Sequence, residues 1–203
     1  MPLQNRVDPW GNIIATTARG TLLGNRGILH NGKKQIVKIY QHQGWVTCSL
    51  KFKNRKRKLM TPGNYTKLFF LDEATAFAAG HRPCCECRRE RYLEFKDYWV
   101  RANLKEQING IKISVINKLM HKDRINKGKK ITYQANLKEL PDGTIFSYNS
   151  SAYLIFKTKI YLWSFEGYYC PKSINIPDEV CVLTPRSIVN IFNLALNLKF
   201  TKV

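Results

Sequence analysis

The stretch GHRPCCECRRERY, residues 80–92, constrains this chain more than any other part of it. A tight Cys-x-x-Cys turn holds two thiolates about 3.5 Å apart, so that both reach one tetrahedral ion at about 2.3 Å. What precedes the turn is equally directive. In LDEATAFAAGHRPC, Asp72 suits a helix N-cap, Glu73 stands where the helix dipole favours negative charge, alanines follow, and Gly80 suits the C-terminal stop. A short Ala-rich helix therefore delivers the cysteines to a turn at its end.

Cys84 and Cys87 make half a metal site. Cys48, on the strand-like segment GWVTCSLKFK, is the natural third ligand, and the fourth falls to His42, His81 or Cys85, with His30 more distant. Adjacent Cys84 and Cys85 point in different directions, so one of them is expected to be spare. Thiols packed this closely do not read as a stapling framework of disulfides, and in a reducing compartment metal binding is their better use, with zinc the expected cofactor.

Thirty-four Lys plus Arg against 14 Asp plus Glu give a formal net charge of +20, an excess that points to a polyanionic partner, DNA first. The basic residues are spread along the chain and not gathered in one amphipathic helix. No apolar run approaches about 18 residues, so a membrane is not an expected partner. MPLQNRVDPW lacks an apolar leader, and a cytoplasmic location is expected. Arg6, Arg26, the run Arg55, Lys56, Arg57 and Lys58, and Arg82, Arg88, Arg89 and Arg91 around the cysteines are the expected phosphate contacts.

Hydrophobic periodicity predicts an α+β chain. Residues 1–32, rich in turn formers, read as loops and short strands; KQIVKIYQ, GWVTCSLKFK and residues 65–71 read as strands. Two central helices follow, one from Arg88 to about Gln107 with Tyr92, Phe95, Trp99 and Ala102 on its apolar face, the other from Ile113 to Arg124 with Ile116, Leu119 and Met120. A hairpin pairs residues 153–156 with 160–163, and LTPRSIVNIFNLAL closes the chain as a helix with Thr184 as N-cap and Pro185 first inside. A weak boundary near residue 130 divides a basic, zinc-containing, DNA-binding part (1–130) from a β-rich part with the terminal helix (131–203), unless the whole is one domain.

The segment LFFLDEATAFAAGHRPCCECRRE resembles the metal-binding segment of the N-terminal domain of the Ada DNA-repair proteins, in which a Phe-rich strand, an Ala-rich helix and Arg-Pro-Cys-x-x-Cys-Arg recur together. The likeness covers about 45 residues, Cys48 to Arg89. It implies a small sheet carrying a zinc site of four cysteines, one of which is alkylated by methylated DNA backbone. Cys48 falls where the first cysteine would be, but the second is missing, since residues 49–53 are Ser, Leu, Lys, Phe and Lys. Zinc binding and DNA contact are what the resemblance implies here. The longer pattern MPLQNRVDPWG, GNRGILH and HRPC-ECRR resembles a group of bacterial proteins and implies a bacterial source.

Candidate catalytic residues are few because carboxylates are few. Asp8, Asn5 and His30 lie in the Gly-rich N-terminal region, where backbone approaches a ligand closely. His121 and Asp123 sit two apart in LMHKDR as a general acid or phosphate ligand. Pro2, a secondary amine once Met1 is removed, is a further nucleophile candidate. Tyr65, Tyr92, Trp99, Tyr168 and Tyr169 are candidates for stacking on bases. No Walker loop, HExxH, GxSxG or dinucleotide fingerprint is present, so no nucleotide cofactor is expected. The expected function is a DNA-binding zinc protein acting on damaged or modified DNA, by base excision in repair or phage defence. The alternatives are a non-catalytic zinc module that senses lesions or regulates transcription, and a nuclease.

Overall fold

The structure is a computed structural model and describes residues 1–53, 58–104, 110–171, 174–194 and 196. It is mixed α and β, as the periodicity predicts. A first sheet runs in the order β2 (Ile13–Ala15), β1 (Gln4–Val7), β5 (Leu68–Phe70), β3 (Leu22–Asn25), β4 (Val46–Ser49), β6 (Arg82–Pro83). A second runs β13 (Tyr168–Tyr169), β12 (Lys159–Trp163), β11 (Ser151–Phe156), β10 (Ile145–Tyr148), β14 (Glu179–Val182), β9 (Tyr133–Asn136). A two-stranded ribbon, β7 (Ile125–Asn126) with β8 (Lys129–Lys130), extends from the end of a helix.

The short helix α1 (Glu73–Ala78) is the hub, with all six residues buried. Ala76 and Ala79 face the first sheet at Phe70 and Leu68, Ala74 and Ala78 face the second at Ile145 and Leu154, and Phe77 enters a helical core. Only small side chains let two sheets approach one helix this closely, which is why the segment is alanine-rich. Asp72 caps it as predicted, accepting from the Thr75 amide at 2.9 Å, with the Tyr168 hydroxyl donating to the same oxygen at 3.1 Å. At the other end Gly80 takes φ +81, and a Cβ there would stand 2.5 Å from Arg124 Cδ, so the position needs glycine twice over.

The helical core joins α2 (Arg89–Asn103), α3 (Ile113–Arg124) and α4 (Arg186–Asn193) through Phe95, Trp99, Ile116, Met120, Ile188 and Phe192. It draws residues from both sides of position 130. Leu119 lies outside it, 39% exposed, because the buried face of α3 narrows to Ile116 and Met120. The second sheet follows the period of two: Ala152 and Leu154 face α1, while Tyr153 and Ile155 pack under Leu137, Leu140, Ile174 and Ile176. Its hairpin turns at Lys157 and Thr158, both at positive φ (48 and 59) as a two-residue loop matching strand twist requires.

Two expected elements differ. KQIVKIYQ forms no strand; residues 34–41 are a loop with one bridge, His30 to Ile36, and Ile36 and Ile39 turn toward a cleft instead of a sheet. Thr184 does not cap α4: its hydroxyl accepts from the Ile145 amide, and Asp123 reaches over from α3 to accept from the Ser187 amide at 2.8 Å. Among the described residues no helix is long and apolar enough to cross a membrane.

Candidate metal corner and cationic cleft

One strand register builds two sites. β3 pairs antiparallel with β4, Leu23 opposite Cys48 and Asn25 opposite Val46, and β4 pairs parallel with β6, Val46 beside Arg82 and Thr47 beside Pro83. Continuing the β4–β6 ladder one rung forward brings Cys48 to Cys84; continuing it one rung back brings Trp45 to His81. The first end is a cluster of sulfurs and the second is the back of a cleft.

At the sulfur end, Cys48, Cys84 and Cys87 place their Sγ atoms within 4.8 Å of one another, close enough to hold one metal ion. The Ser49 amide donates to Cys87 Sγ at 3.4 Å and the Glu86 amide to Cys84 Sγ at 3.4 Å, the pattern that steadies thiolate ligands. The contact with Cys48 draws the Cys84 thiol down to about 5, and that contact with burial pushes Cys48 upward. One wall of a cavity of about 200 Å³ is made by these cysteines. Among the described residues no further ligand joins them. Cys85 is exposed, His42 is exposed on its loop, and His81 is fully buried with Nε2 accepting from Arg26 Nε at 3.2 Å. That bond assigns His81 the neutral tautomer with its proton on Nδ1, and burial with the charges of Arg26 and Arg124 holds it well below the ordinary histidine range.

The arginines around the cysteines turn inward rather than toward solvent. Arg91 grips the buried Glu73 carboxylate with Nε and Nη2, Arg88 adds a bond at 2.5 Å, and Arg82 donates to Asn117 Oδ1 at 2.8 Å. Arg88 and Arg91 are on the stripe shared with Tyr92, Phe95 and Trp99, so their helical positions place them indoors. They lock α2 to the start of α1 and so fix the cysteine turn between them. Burial alone would raise the Glu73 pKa, but Arg91 and Arg88 override it and hold it below the usual carboxylate range. Of that group Arg89 alone is exposed, as is Lys58 farther along; Arg55, Lys56 and Arg57 lie outside the described residues.

At the other end lies a cleft of about 550 Å³, bounded by the loop Trp10–Ile13, Ile36 and Ile39, Trp45, and the segment Arg124–Lys130. Three cations reach into it from different elements. Arg26 follows β3, Arg124 ends α3, and Lys130 ends β8; the Arg26 and Arg124 guanidinium carbons lie 4.2 and 4.0 Å from the Trp45 ring centre. Arg124 donates to Gly80 O at 2.7 Å and Lys130 to Ala78 O at 2.5 Å, so both complement the carbonyl end of α1, which has no basic residue of its own in its last turn. Burial and the neighbouring Arg26 and Arg124 pull the Lys130 ammonium down to about 7.

The sequence candidates for catalysis scatter around this cleft. Asp8 lies behind its rim, one carboxylate oxygen accepting from the Asn12 amide and the other from its side chain, with burial raising its pKa. Asn5 is buried and accepts from Arg6, whose guanidinium sits over Phe69. His30 is closed off by Thr66 at 2.7 Å. His121 touches Arg124 Nη2 at 3.2 Å, and Asp123 caps α4. Tyr92, Trp99 and Tyr168 are core residues, Tyr65 is half-buried beside the cysteine cavity, and Tyr169 is exposed. Trp10, Trp45, Arg124 and Lys130 were not singled out by sequence. Their only signal is a tryptophan after glycine and cations in a segment whose periodicity gave no strand. No known protein family, curated protein or solved structure matches the chain.

Proposed function

We propose that this chain is a zinc-bearing DNA-binding protein that acts on modified DNA. In this reading its cleft receives a nucleotide swung out of the strand and cleaves the N-glycosidic bond. The observation that carries it is the cleft itself: about 550 Å³ of space, with the Trp10 indole and Ile13 on one wall for a base and cations backed by the buried Trp45 on another for phosphate. The net charge of +20 supplies the attraction to the polyanion, and exposed Lys38 and Lys129 stand on the two segments that frame the mouth.

Three thiolates suit zinc above harder metals, and the hydrogen-bonded turn that holds them favours a structural ion that fixes the β4–β6–α2 corner. The resemblance to Ada-type zinc modules supports the same assignment of Cys48, Cys84 and Cys87. In the cleavage step the C1′–N bond breaks, the base leaves as an anion with the bonding electrons, water's oxygen bonds to C1′, and the proton that water releases goes to the departed base. A wall of cations disfavours a positively charged base and favours one that leaves as an anion, so deaminated or oxidised bases fit better than cationic alkylpurines. In this reading Asn12 and Gln4, which line the cleft, orient the water through their side-chain carbonyls.

A second reading, a non-catalytic lesion-binding module, is favoured by one observation: behind the rim the Asp8 oxygens both accept from Asn12, and among the described residues no carboxylate lines the cleft. A magnesium nuclease has less support, because the metal-ligating cluster among the described residues is made of cysteines. Incubation with duplexes carrying normal, deaminated, oxidised and alkylated bases separates the first two. Mass spectrometry should find free base and mild alkali should cut the strand; tight binding with no mass change across the panel would instead establish the binding module.

A further inference from the structure

We propose that the inner wall of the cleft, formed by Arg26, Arg124 and Lys130 around Trp45, is a binding site for a tetrahedral oxyanion, and that its occupant is the phosphate group of the nucleotide the cleft receives. The inference rests on the cleft being the ligand site and not on base excision.

Arg26 is the key. It is 1% exposed, with Nη1 donating to Gly11 O at 2.9 Å and Nε to His81 Nε2 at 3.2 Å, while Nη2 has no partner although it is buried and borders the cleft. Gly11 packs beside that nitrogen, a Cβ there standing 3.7 Å from it, so the glycine is the small residue between Nη2 and the cleft. Arg124 is 3% exposed, spends both terminal nitrogens on the Gly80 and Gln43 carbonyls, and keeps Nε unpartnered. Among the described residues no carboxylate lies within ion-pair distance of any of the three cations. An under-compensated buried charge costs several kcal/mol, so a fold that gathers the buried Arg26 and Arg124 beside the half-buried Lys130, with Asp8 and Asp123 only at longer range, favours a countercharge. The carbonyl end of α1 offsets part of that for Arg124 and Lys130, whereas Arg26 has a neutral imidazole, one carbonyl and the Trp45 face, with the Asp8 carboxylate acting only from beyond ion-pair distance. An oxyanion accepting from Arg26 Nη2 completes the set, and a phosphate fills only a fraction of the cleft, leaving room for a sugar and base beside Trp10 and Ile13.

The test uses the full metal-loaded chain. Inorganic phosphate, thymidine 5′-monophosphate and thymidine are titrated by calorimetry at constant ionic strength, with thermal unfolding in phosphate against chloride as a second measurement. We expect saturable phosphate binding, tighter binding of the monophosphate than of thymidine, and a saturating rise in Tm. Arg26→Gln should weaken phosphate by about tenfold or more. Because that variant also loses two framework bonds, Ile39→Glu, which sets a carboxylate at the cleft mouth on a side chain 49% exposed, is compared with Ile39→Gln. The Glu variant should bind phosphate at least about threefold more weakly than the Gln variant. Monophosphate binding without phosphate-strand binding would identify a free nucleotide as the source, and binding to a short single strand would identify DNA. A linear, unsaturating Tm rise with no difference between the Ile39 variants overturns the site. Base release from duplexes with no phosphate binding would overturn this inference and leave the proposed reaction standing; phosphate binding without base release would do the reverse.

Discussion

The two ends of the β4–β6 ladder use the same backbone for opposite chemistry. At one end three sulfurs converge within 4.8 Å and want a cation; at the other, three cations converge and want an anion. One local turn and one strand suffice for the first, so two of its three residues, Cys84 and Cys87, share one short stretch. The second draws on the β3 end, a loop, the α3 terminus and a ribbon, so no short stretch announces it. Both depend on a single register, and a slip of one residue would dismantle both.

The largest effect that probes this dependence is loss of the ion proposed for Cys48, Cys84 and Cys87. Cys48→Ser or Cys84→Ser should remove bound metal measured by mass spectrometry and lower Tm by about 10 °C or more, since binding energy of a structural ion is folding energy. If the ladder is held independently by the sheet, phosphate affinity in the cleft should survive in whatever fraction stays folded.

Breaking the frame between the two ends comes next. Glu73→Gln leaves Arg91 and Arg88 facing a neutral group indoors and should cost about 3–5 kcal/mol in denaturant unfolding. Glu73 is held below its unfolded value, so its contribution is present above the ordinary carboxylate range and is lost as pH falls through its folded pKa; that acid-side slope should flatten in the variant.

Gly80→Ala sharpens the comparison from the cleft side. The positive φ and the contact with Arg124 Cδ should together cost about 1–3 kcal/mol, and anion affinity should fall with the displacement of Arg124 while metal content stays unchanged.

A smaller effect is a pH profile. Lys130, at about 7, faces Arg26, Arg124, Asp8 and Asp123, with His81 neutral behind it. It is charged below that value and loses its proton above it, so affinity for sulfate, whose charge is constant, should drop roughly threefold from pH 6 to pH 8, and Lys130→Met should shrink the drop, leaving the part due to Arg124, which burial and Arg26 bring down to about 8. A profile flat in the wild type would remove Lys130 from the site. Smallest of all, Cys85→Ser should leave metal content and Tm as they are.

Sequence reading recovered what is local. Asp72, the alanines and Gly80 defined α1 because caps and stops are set within a turn, and the 113–124 helix matched its range for the same reason. The cysteine spacing marked the corner. What escaped was set by tertiary context: Arg88 and Arg91 looked like surface phosphate contacts until Glu73, some fifteen residues away, claimed them, and residues 34–41 alternate like a strand but pair only through the bridge of Ile36 with His30. The cleft was illegible because buried cations carry no periodic signature; Arg26, Trp45, Arg124 and Lys130 meet only after the chain has folded around α1.

The most direct test that the cleft, and not the metal corner, receives the nucleotide is a four-peak experiment. The chain has four tryptophans, and their indole N–H resonances can be followed while a short single-stranded oligonucleotide is added. Trp10 and Trp45, on the cleft wall, should shift and saturate together, while Trp99 in the helical core stays fixed. Saturable binding that leaves Trp10 and Trp45 unmoved would contradict the account.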